Sequence, residues 1–159
     1  AAGRIAVAGV NAMAFENPGD DQLRELLQRV RTIAVVGFSP KKDRASHGVA
    51  LAMQRFGYRI IPVRPALAEG LGEKAYPDLA SIPDRGQIDL VDVFRAPEHV
   101  DEIVDSAIAL KLPAIWLQQG VVNEPAAERA RAAGLTVVMD RCVYQEYLRL
   151  FGAGPRSRL

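Results

Sequence analysis

A single cysteine in 159 residues excludes an intramolecular disulfide framework and fits a reducing, cytoplasmic compartment. That cysteine and the only two histidines show no metal-ligand spacing, so no metal site is expected. No apolar run approaches the roughly 18 residues that a membrane-spanning helix needs. Neither sign of charge dominates: 20 basic and 19 acidic residues leave a net +1, which excludes nucleic-acid binding through bulk positive charge, though not through a local patch. Apolar side chains, at 49%, are abundant instead. They suffice for a sizeable core in a chain whose length suits one soluble domain.

The two ends are set apart. The stretch Ile5 to Ala14 is apolar, but only Arg4 precedes it and Ala12-Met-Ala14 is a poor cleavage signature, which argues against an export signal. Met13 is read as the natural start and residues 1–12 as a leader, either supplied by cloning or disordered. Residues 13–151 are read as the single domain. Gly152 to Leu159 is small, basic and broken by proline, and is expected to fray.

Between the ends, two periods alternate. Asp20 and Asp21 open a helix whose apolar face is Leu23, Leu26, Leu27 and Val30. Ile33-Ala-Val-Val-Gly37 is a short apolar run that reads as a strand buried on both faces. Val49, Ala52, Met53 and Phe56 mark a helix stopped by Gly57. Tyr58 to Val63 is the next strand, and Ile88 to Phe94 follows a loop rich in glycine and proline. Pro97 suits the first turn of a helix lined by Val100, Ile103, Val104, Ala107 and Ile108. Ala114 to Leu117 is a strand, Asn123 opens a helix that ends at Gly134, Leu135 to Met139 is the fifth strand, and a last helix covers about 141–151. Strands separated by helices imply a Rossmann-like, doubly wound α/β fold: a mostly parallel five-stranded sheet with helices on both faces.

In such sheets ligands sit beyond the carboxyl ends of the strands, where strand order reverses. The first of these loops runs from Gly37 to Ser46. Gly37 permits a tight turn, Ser39 and Ser46 carry hydroxyls, and Lys41, Lys42 and Arg44 carry positive charge before a helix start, a combination suited to a phosphate or pyrophosphate or to a plain solvated turn. It is neither a G-x-G-x-x-G fingerprint nor a P-loop. A site for NAD wants an acidic residue at the end of the second strand. Here Val63-Arg64-Pro65 stands there, and a cation at Arg64 suits the extra phosphate of NADP or of coenzyme A.

Five segments, Ile33 to Lys41, Tyr58 to Pro65, Val91 to Glu98, Ala114 to Gly120 and Val138 to Cys142, come in the order and at about the spacing of the small bacterial CoA-binding proteins. Over residues 20–151 the chain resembles that family, also called the YccU-like group, and is similar in turn to the CoA-binding domain of the succinyl-CoA synthetase α subunit. The resemblance implies CoA as the ligand. It places the phosphates at Gly37, Ser39, Pro40 and Lys41, and the adenosine end near Val63, Arg64 and Pro65; Phe38, Lys42 and Ser46 of the same loop are counted with the cofactor-binding residues. It puts Phe94, Arg95 and Pro97 beside the adenine, with Gln118 and Gly120 by the pantetheine arm. Two departures stand out. The family commonly has Asn where this chain has Arg64. It also commonly has a Glu-His pair after the Asp-Arg-Cys segment, where this chain reads Val143-Tyr-Gln-Glu-Tyr147, so no role of that histidine carries over.

No catalytic constellation emerges. His47 reads as a cap or a solvent-facing residue and His99 as a surface residue. Asp89 and Asp92 do not form an acid–base pair, and Trp116 reads as core. Asp140 is expected to cap the last helix, placing Cys142 in its first turn beside Arg141, where a thiolate is favoured. Cys142 is thus a thiol-reactive candidate, with packing as its plainer role. The expectation is non-catalytic binding of CoA or a short acyl-CoA, with an unknown protein partner, homo-oligomerisation left open, and no nucleic acid or membrane. The alternatives are a small enzyme using NADP or acyl-CoA, and a CoA-sensing regulatory module.

Overall fold

The computed structural model describes residues 14–159, so the assignments made for Met13 and residues 1–12 lie outside the described residues. The strands are β1 (Thr32–Val36), β2 (Arg59–Val63), β3 (Glu69–Gly70), β4 (Glu73–Lys74), β5 (Leu90–Val93), β6 (Ala114–Leu117) and β7 (Thr136–Val138). The helices are α1 (Asp20–Arg29), α2 (Ala45–Phe56), α3 (Val100–Ala109), α4 (Glu124–Ala132) and α5 (Val143–Phe151). Five strands form one sheet in the order β2-β1-β5-β6-β7, every pair parallel. The fold is the doubly wound Rossmann-like sheet that the alternation of periods predicts.

Every residue of β1, β5 and β6 is buried, as a strand covered on both faces requires. One face packs Leu23, Leu26 and Leu27 of α1, Met53 and Phe56 of α2, and Val143 and Tyr147 of α5 around Trp116. The other face packs Val100, Ile103 and Val104 of α3 and three alanines of α4 against Val91, Val93 and Ile115. Small residues on α4 let that helix lie close to the sheet. Among the described residues, no helix is long and apolar enough to cross a membrane.

The α2 face differs from expectation. Val49 and Ala52 are only partly buried, whereas Ser46, His47, Ala50, Met53 and Phe56 are buried. Ser46 accepts a hydrogen bond from the Ser39 amide at 2.9 Å, which accounts for a polar side chain on the buried side of the helix. The loop after β2 contains a short antiparallel hairpin, β3–β4, not anticipated from its glycines and prolines. Its turn residues Leu71 and Gly72 both have positive φ, as a two-residue type I′ turn demands. Gln54 of α2 donates to the Leu71 carbonyl at 2.8 Å and ties the hairpin down.

Both ends of the described chain are laid against the domain. At the carboxyl end, where fraying is the sequence expectation, Tyr147 donates its hydroxyl to the Gly154 carbonyl at 2.6 Å, and Arg156 stacks 5.2 Å above the Tyr58 ring. At the amino end, Asn17 imitates a strand: its Nδ2 donates to the Met139 carbonyl at 2.9 Å and its Oδ1 accepts from the Met139 amide at 2.8 Å. This pair closes part of the exposed edge next to β7. Asn17→Ala removes both bonds, each worth about 1 kcal/mol, so the stability loss should be roughly 1–3 kcal/mol. Urea denaturation checks this, and an unchanged midpoint would show that water replaces the amide without loss.

Candidate functional site

The chain leaves β1 for β2 on one side of the sheet and returns to β5 on the other, so strand order reverses between β1 and β5. Gly37 stands at that point. Its amide donates to the Val63 carbonyl at 3.0 Å, while the Phe94 amide donates to the Val36 carbonyl at 2.8 Å, tying the carboxyl ends of β2, β1 and β5 together. Gly37 has φ +87°, and a Cβ there would lie on the Phe94 carbonyl oxygen. Only glycine satisfies both conditions.

The loop that follows is held from inside. Ser46 Oγ accepts from the Ser39 amide, and Ser39 Oγ accepts from the Lys41 amide at 3.2 Å. Each hydroxyl therefore spends an acceptor site on the backbone and keeps its own proton to donate. Phe38 is not at the surface. It is buried against His47, with ring centroids 5.6 Å apart, and beneath Gly70 of the hairpin. Its carbonyl accepts from Arg64 Nη1 at 3.3 Å, which leans that exposed guanidinium over the loop.

Three clefts meet around this turn. The first, about 330 Å³, is lined by Gly37, Ser39, Lys41, Arg44, Ala45, Ser46, Arg64 and Phe94, so all its charged groups are cations. The second, about 290 Å³, adds Val63, Pro65, Leu79, Ile103 and Arg95 to Gly37. The third, about 380 Å³, has Phe94, Arg95, Gln118, Val121 and Cys142 in its walls. Each cleft shares a residue with the next: Gly37 joins the first two, Phe94 the first and third, Arg95 the second and third. The structure thus brings together Gly37, Ser39, Lys41, Ser46, Val63, Arg64, Pro65, Phe94, Arg95, Gln118 and Cys142. It does not bring Pro40, Lys42, Pro97 or Gly120 into these walls. The Gly120 amide is engaged instead by Asp140 Oδ1 at 2.7 Å.

That bond corrects the expected cap. Asp140 sits in the left-handed region at φ 60°, a conformation aspartate tolerates better than most side chains, and Cys142 is the N-cap residue of α5. Cys142 is half-buried and borders the third cleft. His47 is buried under the loop, neither capping nor facing solvent, and His99 lies at the surface beside Glu102, 3.4 Å away. Trp116 is core, its Nε1 donating to the Arg141 carbonyl at 2.7 Å. Among the described residues, no three His, Cys, Asp or Glu side chains group to hold a metal ion.

One feature escaped sequence reasoning. Asp92 on β5 is 1% exposed, and Gln118 Nε2 donates to its Oδ1 at 2.7 Å from beyond β6. Burial pushes the Asp92 carboxyl up to about 7, against the Gln118 bond, which lowers it. An aspartate inside a Val-rich strand was the available signal, but its partner lies 26 residues away and only the β5–β6 register reveals it. A larger cleft, about 460 Å³, is walled by Glu16, Gln22, Glu25, Arg29, Arg131 and Thr136, away from the switch-point loops. Its mixed charges give it no preference for a polyanion, so volume alone does not make it the site.

A family model described as a CoA binding domain matches residues 31–147. The uncharacterised protein YneT of Bacillus subtilis (strain 168) is 44% identical over 129 residues, spanning 81% of this chain and 94% of its own. A hypothetical protein from Pyrococcus horikoshii OT3 has a similar structure, with TM-score 0.80 and 38% identity over 85% of this chain and 94% of that one. The Thermus thermophilus protein called cell-free ID.343 gives TM-score 0.79 and 34% identity over 84% of this chain and 100% of that one.

The buried carboxyl has a consequence for stability. In the native state Asp92 holds its proton up to about pH 7, whereas the unfolded chain releases it near 3.8. The native state therefore binds the extra proton between those values, and stability from this group falls as pH rises from about 4 to about 7. The loss is on the order of 4 kcal/mol, at about 1.4 kcal/mol per pKa unit. Asp92→Asn lacks this titration. Urea denaturation between pH 4.5 and 8 should show the wild type losing stability relative to the variant, and parallel profiles would contradict it.

Proposed function

The chain belongs to the CoA binding domain family, and from that premise we propose that it binds coenzyme A, free or carrying a short acyl group, without catalysing a reaction. The observation that carries the proposal is the cationic first cleft at the switch point, flanked by two less polar clefts that share its walls. Coenzyme A has the same three parts: a pyrophosphate between an adenosine carrying a 3′-phosphate and an uncharged pantetheine arm. Lys41, Arg44 and the two serine hydroxyls suit the pyrophosphate, as charge-assisted donors around an anion. Arg64 suits the 3′-phosphate, because a fork of N–H donors matches phosphate oxygens and only one of its bonds is used by Phe38. The second cleft offers the adenine an apolar wall of Val63, Pro65 and Leu79, with Asp78 and Glu102 also in its lining. The third, running to Gln118 and Cys142, suits the pantetheine arm and brings its thiol end toward the α5 start.

Binding without chemistry is the reading that fits these walls. The one carboxyl with a strongly raised pKa, Asp92, is bonded to Gln118 and sealed from solvent, where it cannot reach a reacting group. His47 is occupied beneath Phe38. NADP is the competing ligand, since its 2′-phosphate would also meet Arg64.

Two measurements separate these ligands. A ligand that binds only the native state at a hundredfold excess over Kd stabilises it by about 2.7 kcal/mol. In a thermal-shift series CoA should raise Tm well beyond NAD and NADP at equal concentration, and an equal or larger shift with NADP would overturn the CoA proposal. Arg64→Ala should weaken CoA roughly tenfold but dephospho-CoA much less, with the difference shrinking at high salt as the charge pair is screened. Equal losses for both ligands would remove Arg64 from the 3′-phosphate.

A further inference from the structure

Gln118 is 4% exposed, and its amide has two ends with opposite hydrogen-bonding character. The Nε2 end is spent on Asp92 at 2.7 Å. The Oε1 end has no partner among the described residues, yet it is not among the buried side-chain atoms that lack one, so it still meets solvent. Among the clefts described, the third is the one whose wall includes Gln118. The orientation of the amide is therefore dictated from behind, by the carboxyl that no solvent reaches.

Resting on the CoA assignment, we propose that Asp92 is a positioning residue: it holds the Gln118 amide so that the third cleft shows a carbonyl oxygen, selecting a ligand segment that brings an amide N–H. The pantetheine arm carries two secondary amides and supplies such a donor. The device works while Asp92 is ionised, because a carboxylate only accepts and must be met by N–H. Once protonated, Asp92 can donate to Gln118 Oε1, the amide turns over, and the cleft shows NH2 instead.

The surroundings keep this pair isolated. Asp92 lies two residues after Leu90 and so on the same face of the sheet, between Val35 on β1 and Trp116 on β6. The titratable groups buried on that face are His47 on α2, Tyr58 before β2, and Glu146 and Tyr147 on α5; α1 contributes only leucines and carries its charges outward. Glu146 is held by Arg141 and Arg149. None of these groups moves the Asp92 carboxyl, whose proton affinity answers to burial and to Gln118 alone.

The test is CoA affinity by calorimetry for the wild type, Asp92→Asn, Gln118→Leu and the double variant, at pH 6 and pH 8.5. Titration of the ligand's own phosphate and of the histidines is common to all four proteins and cancels in the ratios. An asparagine at 92 meets either end of the amide, so about half of the Asp92→Asn protein still shows the oxygen, and CoA should weaken about twofold at pH 8.5, with the ratio falling toward one at pH 6. Gln118→Leu should weaken CoA about fivefold at pH 8.5, the worth of one hydrogen bond, and adding Asp92→Asn to it should change nothing further. A ratio that does not change with pH, an Asp92→Asn loss that persists without Gln118, or unchanged affinity in Gln118→Leu would each overturn the inference while leaving CoA as the ligand. If the wild type binds no CoA at either pH, the CoA proposal itself falls, and the inference with it.

Discussion

The closeness of three strand ends at Gly37 is the constraint on which the site depends. The Gly37 amide is spent on Val63, its Cα faces the Phe94 carbonyl with no room for a side chain, and its φ is positive. The chain must leave β1 upward and over the sheet edge rather than into a longer strand. Everything useful follows from that exit. Ser39 and Ser46 lock the departing loop onto α2, Phe38 plugs it from beneath, and Arg64 and Arg95 arrive from the neighbouring strand ends. Three clefts meet there because three strand ends are held that close.

The charge distribution deepens the same point. A chain with net charge +1 has no general attraction for polyanions, yet the first cleft is walled by Lys41, Arg44 and Arg64 with no acidic partner among its lining residues. Several other arginines are neutralised: Arg24, Arg29, Arg129, Arg131 and Arg149 each meet a carboxylate at the surface. Such surface pairs are worth little to stability, but they leave the switch-point cations as a localised feature. Behind that rim sits the opposite device, a carboxyl taken out of water and joined to one amide. A rim that attracts and a rear wall that orients are different tasks, carried by different residues.

Much of this was legible in the sequence, for physical reasons. Short, largely apolar runs between helical stretches suit strands covered on both faces, so β1, β5 and β6 and the doubly wound class could be read from the sequence. Gly37, Ser39, Lys41 and Arg64 could be picked out because turn glycines and cations at strand ends have local signatures. The misses share one origin, pairing between distant segments. The buried stripe of α2 takes in Ser46, which pairs with the Ser39 amide, while Val49 packs only at the border of the core. Asp140 looked like a helix cap because nothing nearby shows that the Gly120 amide claims it. Asp92 showed no partner because Gln118 lies just beyond a different strand, and the β3–β4 hairpin was hidden in a loop whose turn uses an unusual Leu-Gly pair.

The central claim is that coenzyme A lies across the switch-point loops and not in the larger cleft beside β7. Amide chemical-shift mapping by NMR, with CoA titrated into isotopically labelled protein, tests it directly. The account predicts the largest changes at Gly37, Ser39, Lys41, Arg64, Arg95 and Gln118, with Gln22, Arg29, Arg131 and Thr136 unmoved. Saturable changes centred on the second group, with the first unmoved, would contradict it.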